Sequence, residues 1–214
     1  MSFINHIYKH IFIHVPKVAG TAMESRNFVG GTGHDSLHNM SLREDFDPSY
    51  FKWAFVRNPY TRLASAYFYT RNIGSGIVGY NPFYDPGGTF MSFVDHLEEN
   101  LTEDPFNEKI RPNWKQPHIT PMAYLLKSDK YELDFIGRYE NLQNDFRKVV
   151  KIISDISGIE IKCYRGAEVI PYILPVHGET KNRPSDYMLL YNQERRDKVY
   201  NIYREDFERY EYRK

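Results

Sequence analysis

The sequence is poor in cysteine and carries no excess charge. Cys163 is the single cysteine among 214 residues, so an intrachain disulfide and a zinc site of the multi-cysteine kind are both excluded. The 28 lysines and arginines equal the 28 aspartates and glutamates in number. A chain without net charge has no overall basic field for nucleic acid or an acidic membrane surface, so any anion-binding site must be local.

The sequence also has no long apolar run. The apolar residues at the start of the sequence are interrupted by polar ones, at His6, Lys9, His10 and His14. This pattern is too short and too polar for a signal peptide or a membrane span. We therefore expect no membrane partner, and together with the scarcity of cysteine the pattern favours a cytoplasmic location.

No internal repeat or low-complexity segment is present, and 41% of the residues are hydrophobic. This composition predicts one domain over residues 1–214, and local glycines and prolines predict a loop-rich insertion at 72–120. Short apolar runs predict strands at 11–15, 53–56 and 135–137. Helices are predicted at 21–29, 59–71, 90–101, 142–153 with a cap at Gly158, and near 199–210. Alternating strands and helices indicate an α/β fold with a central parallel sheet covered on both faces.

The first predicted strand leads into a segment that suits an anion. Residues 14–22 read HVPKVAGTA, and a helix begins within them. A helix N-terminus offers unpaired N–H groups and a positive dipole end, Gly20 allows close approach of the backbone, and Lys17 and Thr21 add a charge and a hydroxyl. The lysine precedes the glycine, so the Walker pattern GxxxxGK[ST] is absent. The segment is thus predicted to bind phosphate, but not as a nucleoside-triphosphate loop.

A second candidate anion site follows the second predicted strand. Residues 57–67 read RNPYTRLASAY. Arg57 stands at the carboxyl end of that strand, where ligands of parallel sheets bind. Arg62 and Ser65 are three residues apart and share a helix face. Arginine binds phosphate through its planar fork, although a structural ion pair is the alternative role, particularly for Arg62.

These two segments together resemble the PAPS-dependent sulfotransferases, where PAPS is 3′-phosphoadenosine 5′-phosphosulfate. The similarity is to the carbohydrate sulfotransferases of the Golgi and to short bacterial or viral relatives. The family pattern PK-x-[AG]-G-[TS] is matched at residues 16–21, and R-[DN]-P-x-x-R-x-x-S-x-[YF] at 57–67. Weaker similarities are RYENL at 138–142 and YREDF at 203–207.

The resemblance implies a three-layer α/β/α fold related to P-loop kinases, and transfer of a sulfuryl group from PAPS to a hydroxyl of a carbohydrate or small molecule. Arg57 and Ser65 would hold the 3′-phosphate. The 5′-phosphosulfate would be held by the loop 16–22, with these residues binding it: Pro16, Lys17, Ala19, Gly20, Thr21 and Ala22. The product would be 3′-phosphoadenosine 5′-phosphate.

Lys17 is the expected catalytic cation, because charge develops on the leaving phosphate. The acceptor hydroxyl needs a general base, and His34 is the first candidate, since it lies in a Gly-His segment comparable to one in some carbohydrate members. His38, Glu24 and His118 remain alternatives. His118 lies in an H-x-x-P segment where Met122 replaces the usual glutamine.

Two other function classes fit parts of the sequence. A P-loop kinase would need the absent GK[ST] pattern and a strand-end aspartate for magnesium, which we do not find. A nucleotide- or glycan-binding module without catalysis would keep Arg57 and Ser65 but would not need Lys17 and His34. Sulfuryl transfer requires no metal, so we expect no metal site. The sequence does not determine the acceptor or the oligomeric state.

Overall fold

In the computed structural model of the chain, the described residues are 2–24, 33–72, 88–100, 117–161, 163–165, 168–170 and 184–214. They fall into two compact units. The first unit comprises Met1–Arg57 and Tyr124–His177, and the second comprises Asn58–Ala123 and Gly178–Lys214. The predicted single domain over 1–214 stays a prediction, and much of the insertion at 72–120 lies outside the described residues.

The first unit contains a four-stranded sheet. Its elements are β1 (Phe3–Asn5), β2 (His10–Ile13), α1 (Gly20–Glu24), α2 (Leu37–Ser41), β3 (Phe51–Val56), α5 (Met122–Leu125, which begins in the second unit), β4 (Phe135–Arg138), α6 (Leu142–Ser157), β5 (Cys163–Arg165) and β6 (Glu168–Ile170). The strand order is β1-β2-β3-β4. β2, β3 and β4 are parallel, whereas β1 pairs antiparallel with β2. The parallel sheet is therefore confirmed for three strands, and β1 is an edge strand that the sequence analysis missed.

Two of the three parallel strands, β2 and β3, lie inside the sheet and are largely apolar. Every residue of β2 and β3 is buried, as expected for strands inside a parallel sheet. Trp53 of β3 stacks on Phe12 of β2, with 4.3 Å between ring centroids, and its indole N–H donates to His10 Nδ1 at 3.2 Å. α6 ends at Gly158, whose φ of 69° is the left-handed cap conformation that the sequence predicts.

The second unit is helical and is built on aromatic side chains. Its longer helices are α3 (Pro59–Asn72), α4 (Phe90–Asn100), α7 (Gln193–Ile202) and α8 (Arg204–Arg209). Its core includes Tyr60, Tyr67, Phe93 and Phe207, all at most 6% exposed. The single helix expected near 199–210 is two helices, since α7 ends at Ile202 and α8 begins at Arg204. The start of the helix expected at 21–29 is α1; residues 25–29 lie outside the described residues.

Candidate active site

Three residues of the first unit follow the carboxyl ends of its three parallel strands. His14 comes directly after β2, Arg57 directly after β3 and Tyr139 directly after β4. Parallel strands end at the same edge of the sheet, and this edge is where open α/β sheets bind ligands. The order of the strands therefore brings segments distant in sequence to one edge.

The phosphate loop between β2 and α1 has an uncommon backbone. Lys17 and Ala19 both have φ of 68°, in the left-handed region that residues other than glycine rarely adopt. Each such position costs about 1–2 kcal/mol, so the surrounding structure must hold it. The N–H groups of Ala22 and Met23 both donate to the carbonyl oxygen of Ala19, at 3.0 and 3.2 Å. The amide of Ala22, expected to bind phosphate, is thus part of the first helical turn, and its ligand role stays a prediction.

Gly20 is in direct contact with the side chain of His14. A Cβ atom at residue 20 would lie 1.8 Å from His14 Nε2. This is far below 3.0 Å, a distance under which nonbonded contacts of Cβ atoms are essentially never seen. His14 itself is only 7% exposed, and its ring stacks on Phe12 with centroids 5.7 Å apart. The glycine is therefore required by packing, whereas the sequence analysis explained it by the approach of an anion. The contact of His14 with Gly20 was not predicted, and its only sign in the sequence is the position of His14 two residues before Pro16.

Arg57 joins the phosphate loop to the segment after β4. Its Nη1 donates to the carbonyl oxygen of Lys17 at 3.1 Å. Its guanidinium carbon lies 3.9 Å from the centroid of the Tyr139 ring, within the range of a cation–π contact. Arg57 is only 7% exposed, so this cation is held in place by its surroundings. The structure thus brings Arg57 to the backbone of Lys17, whereas the sequence predicted the two residues in separate anion sites.

The segment that carries Tyr139 is held in place by hydrogen bonds to Asp145 of α6. The Asp145 carboxylate accepts hydrogen bonds from the N–H of Arg138 at 3.0 Å and from the side-chain amide of Asn141 at 3.0 Å, and pairs with Lys148 at 2.8 Å. Burial acts to raise the pKa of this carboxyl group, but the bonds from Lys148 and Arg138 outweigh it, and the pKa is lowered. A charged Asp145 therefore fixes the turn in which Tyr139 meets Arg57.

His34 lies beside His14, with 4.7 Å between the ring centroids. Because His14 also packs against Gly20, only one side chain separates His34 from the phosphate loop. The alternative bases are placed differently. His38 is exposed on α2, and His118 stacks on Tyr69 in the second unit, with ring centroids 4.7 Å apart. The side chain of Glu24 lies outside the described part of the chain, and the choice of His34 stays a prediction.

The other residues of the second anion motif lie in the second unit. Arg62 and Ser65 both belong to α3, where Arg62 is 2% exposed and Ser65 is half-buried. Arg62 Nη2 donates to the carbonyl oxygen of Pro117 at 3.3 Å. The side chain of Asn58 caps the start of α3, because its Oδ1 accepts from the N–H of Tyr60 at 3.0 Å. Arg62 thus has a structural role, and the role of Ser65 in binding the 3′-phosphate stays a prediction.

The C-terminal motif has a structural role as well. The carboxylate of Asp206 is fully buried and accepts the N–H groups of Met122 at 2.9 Å and Ala123 at 2.7 Å. Burial raises its pKa to about 6, against the opposing attraction of Arg62. The spacing of the motif gave no sign that the aspartate would hold residues more than eighty positions away.

A model of the Sulfotransferase family matches residues 1–213. The chain belongs to the sulfotransferase family. Family membership agrees with the geometry above, since the segments similar to the family's motifs, at 16–21, 57 and 138–142, meet at one sheet edge of the first unit.

The curated relatives cover only part of the chain. Carbohydrate sulfotransferase 14 of Homo sapiens is 32% identical over 115 residues, which is 48% of this chain and 28% of the relative. Carbohydrate sulfotransferase 14 of Danio rerio is 33% identical over 109 residues, 45% of this chain and 28% of the relative. An uncharacterized protein of Archaeoglobus fulgidus is 27% identical over 132 residues, 62% of this chain and 90% of the relative. The aligned part of this chain thus spans about a quarter of the length of each carbohydrate sulfotransferase, and no solved structure matches it significantly.

Two kinds of feature are absent from the described residues. None of the described helices is long and apolar enough to cross a lipid bilayer. Within the same residues, no group of three or more histidine, cysteine, aspartate or glutamate side chains is arranged to hold a metal ion.

Proposed function

We propose that the chain is a sulfotransferase that moves a sulfuryl group from PAPS to a hydroxyl group of an acceptor. The observation that carries this proposal is the contact of Arg57 with both the Lys17 carbonyl and the Tyr139 ring. It joins three motif segments that are far apart in sequence. A cluster with two basic residues at the carboxyl ends of parallel strands suits a substrate with several anionic groups.

The phosphate loop is the proposed site of the 5′-phosphosulfate. The left-handed positions at Lys17 and Ala19 are conformations from which backbone anion nests are built. α1 begins directly after them, so the first amides of the helix, at Gly20 and Thr21, are the proposed donors to the phosphate. Arg57, with Ser65, is the proposed partner of the 3′-phosphate.

In the proposed reaction the acceptor oxygen forms a bond to sulfur while the bond between sulfur and the bridging oxygen of the leaving phosphate breaks. The leaving group departs as 3′-phosphoadenosine 5′-phosphate. Lys17 neutralises the negative charge that grows on the bridging oxygen. His34 takes the proton of the acceptor hydroxyl, a step that needs a base within hydrogen-bond reach of that hydroxyl.

A carbohydrate hydroxyl is the proposed acceptor class. It is suggested by the name of the Homo sapiens and Danio rerio relatives, carbohydrate sulfotransferase 14. The loop-rich insertion predicted at 72–120 is the proposed acceptor side of the protein. Its residues 73–87 and 101–116 lie outside the described residues. The acceptor therefore has to be found by assay.

The test is a transfer assay with PAPS in the presence of EDTA. Release of 3′-phosphoadenosine 5′-phosphate is followed with a panel of glycans and small alcohols, for the wild type and for Lys17→Ala. Loss of the charge that stabilises the leaving group should lower kcat by about 100- to 1,000-fold. Lys130→Ala is the matched control, since Lys130 is an exposed lysine of the same unit, and it should leave kcat unchanged.

Lys17→Ala tests the side chain and not the backbone, because alanine is no more tolerant of a φ of 68° than lysine. A Lys17→Gly variant accepts this conformation without strain, so it checks that the loss is not a folding defect. Near-normal kcat in both variants would contradict the role of Lys17. Transfer from ATP that requires magnesium, with none from PAPS, would favour the kinase alternative.

A further inference from the structure

Ser2 makes three hydrogen bonds, two of them to the residues on either side of His34 in the chain. The N–H of Ser2 donates to the carbonyl oxygen of Gly33 at 2.7 Å, and its hydroxyl donates to the carbonyl oxygen of Asp35 at 2.7 Å. The same hydroxyl accepts the N–H of His14 at 3.1 Å. Ser2 is 5% exposed, so these bonds do not compete with bulk water. One residue thus holds the carbonyl groups of both chain neighbours of His34.

The same bonds connect His34 to the phosphate loop. His14 is tied to Ser2 through its backbone, and its ring contacts the ring of His34 on one side and Gly20 on another. The main chain around His34 is therefore fixed by Ser2, and the imidazole lies against a side chain that is itself packed on the loop. Both restraints converge on the position of the His34 ring.

We propose that Ser2 is a positioning residue for His34. Its hydroxyl bonds to the carbonyl group of Asp35 and to the N–H of His14, and it thereby holds the residue after His34 and the start of the phosphate loop in one fixed relation. The imidazole therefore stays within reach of the acceptor hydroxyl. This proposal rests on the proposed function, in which His34 accepts the proton. A displacement of about 1 Å at a reacting group can cost about 100-fold in rate, which is why a residue that never touches the substrate affects turnover.

The central variant is Ser2→Ala. It keeps the N–H bond to Gly33 but removes both bonds of the hydroxyl, to Asp35 and from His14. We expect kcat to fall by about 10- to 100-fold. The affinity for 3′-phosphoadenosine 5′-phosphate, measured by calorimetry, should stay within about twofold, because no proposed donor to that nucleotide is removed.

Two variants serve as comparisons. Ser2→Thr retains the hydroxyl and should recover most of the lost kcat. Ser41→Ala removes a similar bond, from a hydroxyl to the carbonyl oxygen of His38 at 2.7 Å, on the exposed surface of α2, and should leave kcat unchanged. Equal losses in Ser2→Ala and Ser2→Thr would overturn the proposal, since the hydroxyl would then not be the reason.

A double-mutant comparison separates positioning from general stability. If Ser2 acts through His34, then Ser2→Ala should lower kcat no further once His34 is replaced by alanine. A full additional loss in the His34→Ala background would overturn the proposal, as would an unchanged kcat in Ser2→Ala itself.

Hydrogen exchange of residues 33–38 supplies a readout that does not depend on turnover. Removal of the hydroxyl should raise the exchange rates of this segment in Ser2→Ala and leave those of α6 unchanged. If the exchange rates differ but the wild type transfers no sulfuryl group, the proposed function is contradicted and the restraint of residues 33–38 by Ser2 is supported. If the exchange rates of this segment are the same in both proteins, the positioning role of Ser2 is overturned.

Discussion

Replacement of Gly20 by alanine is expected to disturb the folded protein before any ligand is bound. The added Cβ would lie 1.8 Å from His14 Nε2, 2.4 Å from Cε1 and 2.5 Å from Cδ2. The His14 ring cannot move away easily, because it is buried between Phe12 and His34. Either the ring must leave its rotamer or the start of α1 must shift away from β2.

The size of the effect follows from overpacking. Inserting a methyl group into a well-packed site costs about 1–3 kcal/mol. Alanine is favoured over glycine within a helix by up to about 1 kcal/mol, which offsets part of that cost at the first residue of α1. In a His14→Ala background the ring is gone and only the helix preference remains. We therefore expect Gly20→Ala to destabilise the wild type and to be neutral or stabilising in His14→Ala, with a coupling free energy of about 2 kcal/mol.

The assay is urea unfolding of the wild type, both single variants and the double variant, without ligand. Gly33→Ala is the control, because its Cβ would lie 3.3 Å from the terminal oxygen of the exposed Asp35 side chain, which can move. That control should change the unfolding free energy by less than about 0.5 kcal/mol. If Gly20→Ala is as stable as the wild type and only binds the nucleotide more weakly, the packing explanation is refuted. The glycine would then be needed because it lets the ligand come close to the backbone.

Three further predictions concern single residues. Tyr139→Ala should remove the ring under Arg57 and weaken binding of 3′-phosphoadenosine 5′-phosphate by about tenfold, whereas Tyr139→Phe should keep the wild-type affinity; calorimetry of both variants decides. Ala19→Gly should raise the unfolding free energy by up to about 1 kcal/mol in urea titrations, since glycine accepts a φ of 68° without strain. Burial raises the pKa of Asp206 from 3.8 to about 6, so the folded state favours the protonated acid and stability is lost as pH rises through 6. The unfolding free energy of the wild type relative to Asp206→Asn should therefore fall by about 3 kcal/mol between about pH 4 and pH 7, and a constant difference would contradict this pKa.

The parallel strands and the longer helices could be predicted from the sequence because their patterns are local. The apolar run ending at Val56 and the Gly158 cap lie within a few residues of the elements that they define. β1 could not be predicted in this way, because Phe3–Asn5 is only three residues long and owes its conformation to pairing with β2. The break between α7 and α8 was missed because the apolar spacing continues through Tyr203.

The residue types of the candidate site could be proposed from the sequence, but their contacts could not. The resemblance indicated Lys17 and Arg57, and the structure adds that Arg57 donates to the backbone of Lys17. No sequence pattern linked His14 to Gly20 or Ser2 to the segment around His34, because these contacts depend on how the sheet brings distant segments together. The motifs therefore suggested the proposed chemistry, whereas the packing of His14 and Tyr139 became visible only in three dimensions.

The most direct test of the central claim is calorimetric titration of the wild type with 3′-phosphoadenosine 5′-phosphate in EDTA, beside 5′-AMP and ATP. The proposed site predicts that the bisphosphate binds best and that 5′-AMP binds at least about tenfold more weakly, a difference of about 1.4 kcal/mol for the 3′-phosphate. Arg57→Ala should remove that difference, because Arg57 is the proposed 3′-phosphate partner. Equal affinities for the bisphosphate and 5′-AMP, or tighter binding of ATP that requires magnesium, would contradict a PAPS-dependent sulfotransferase.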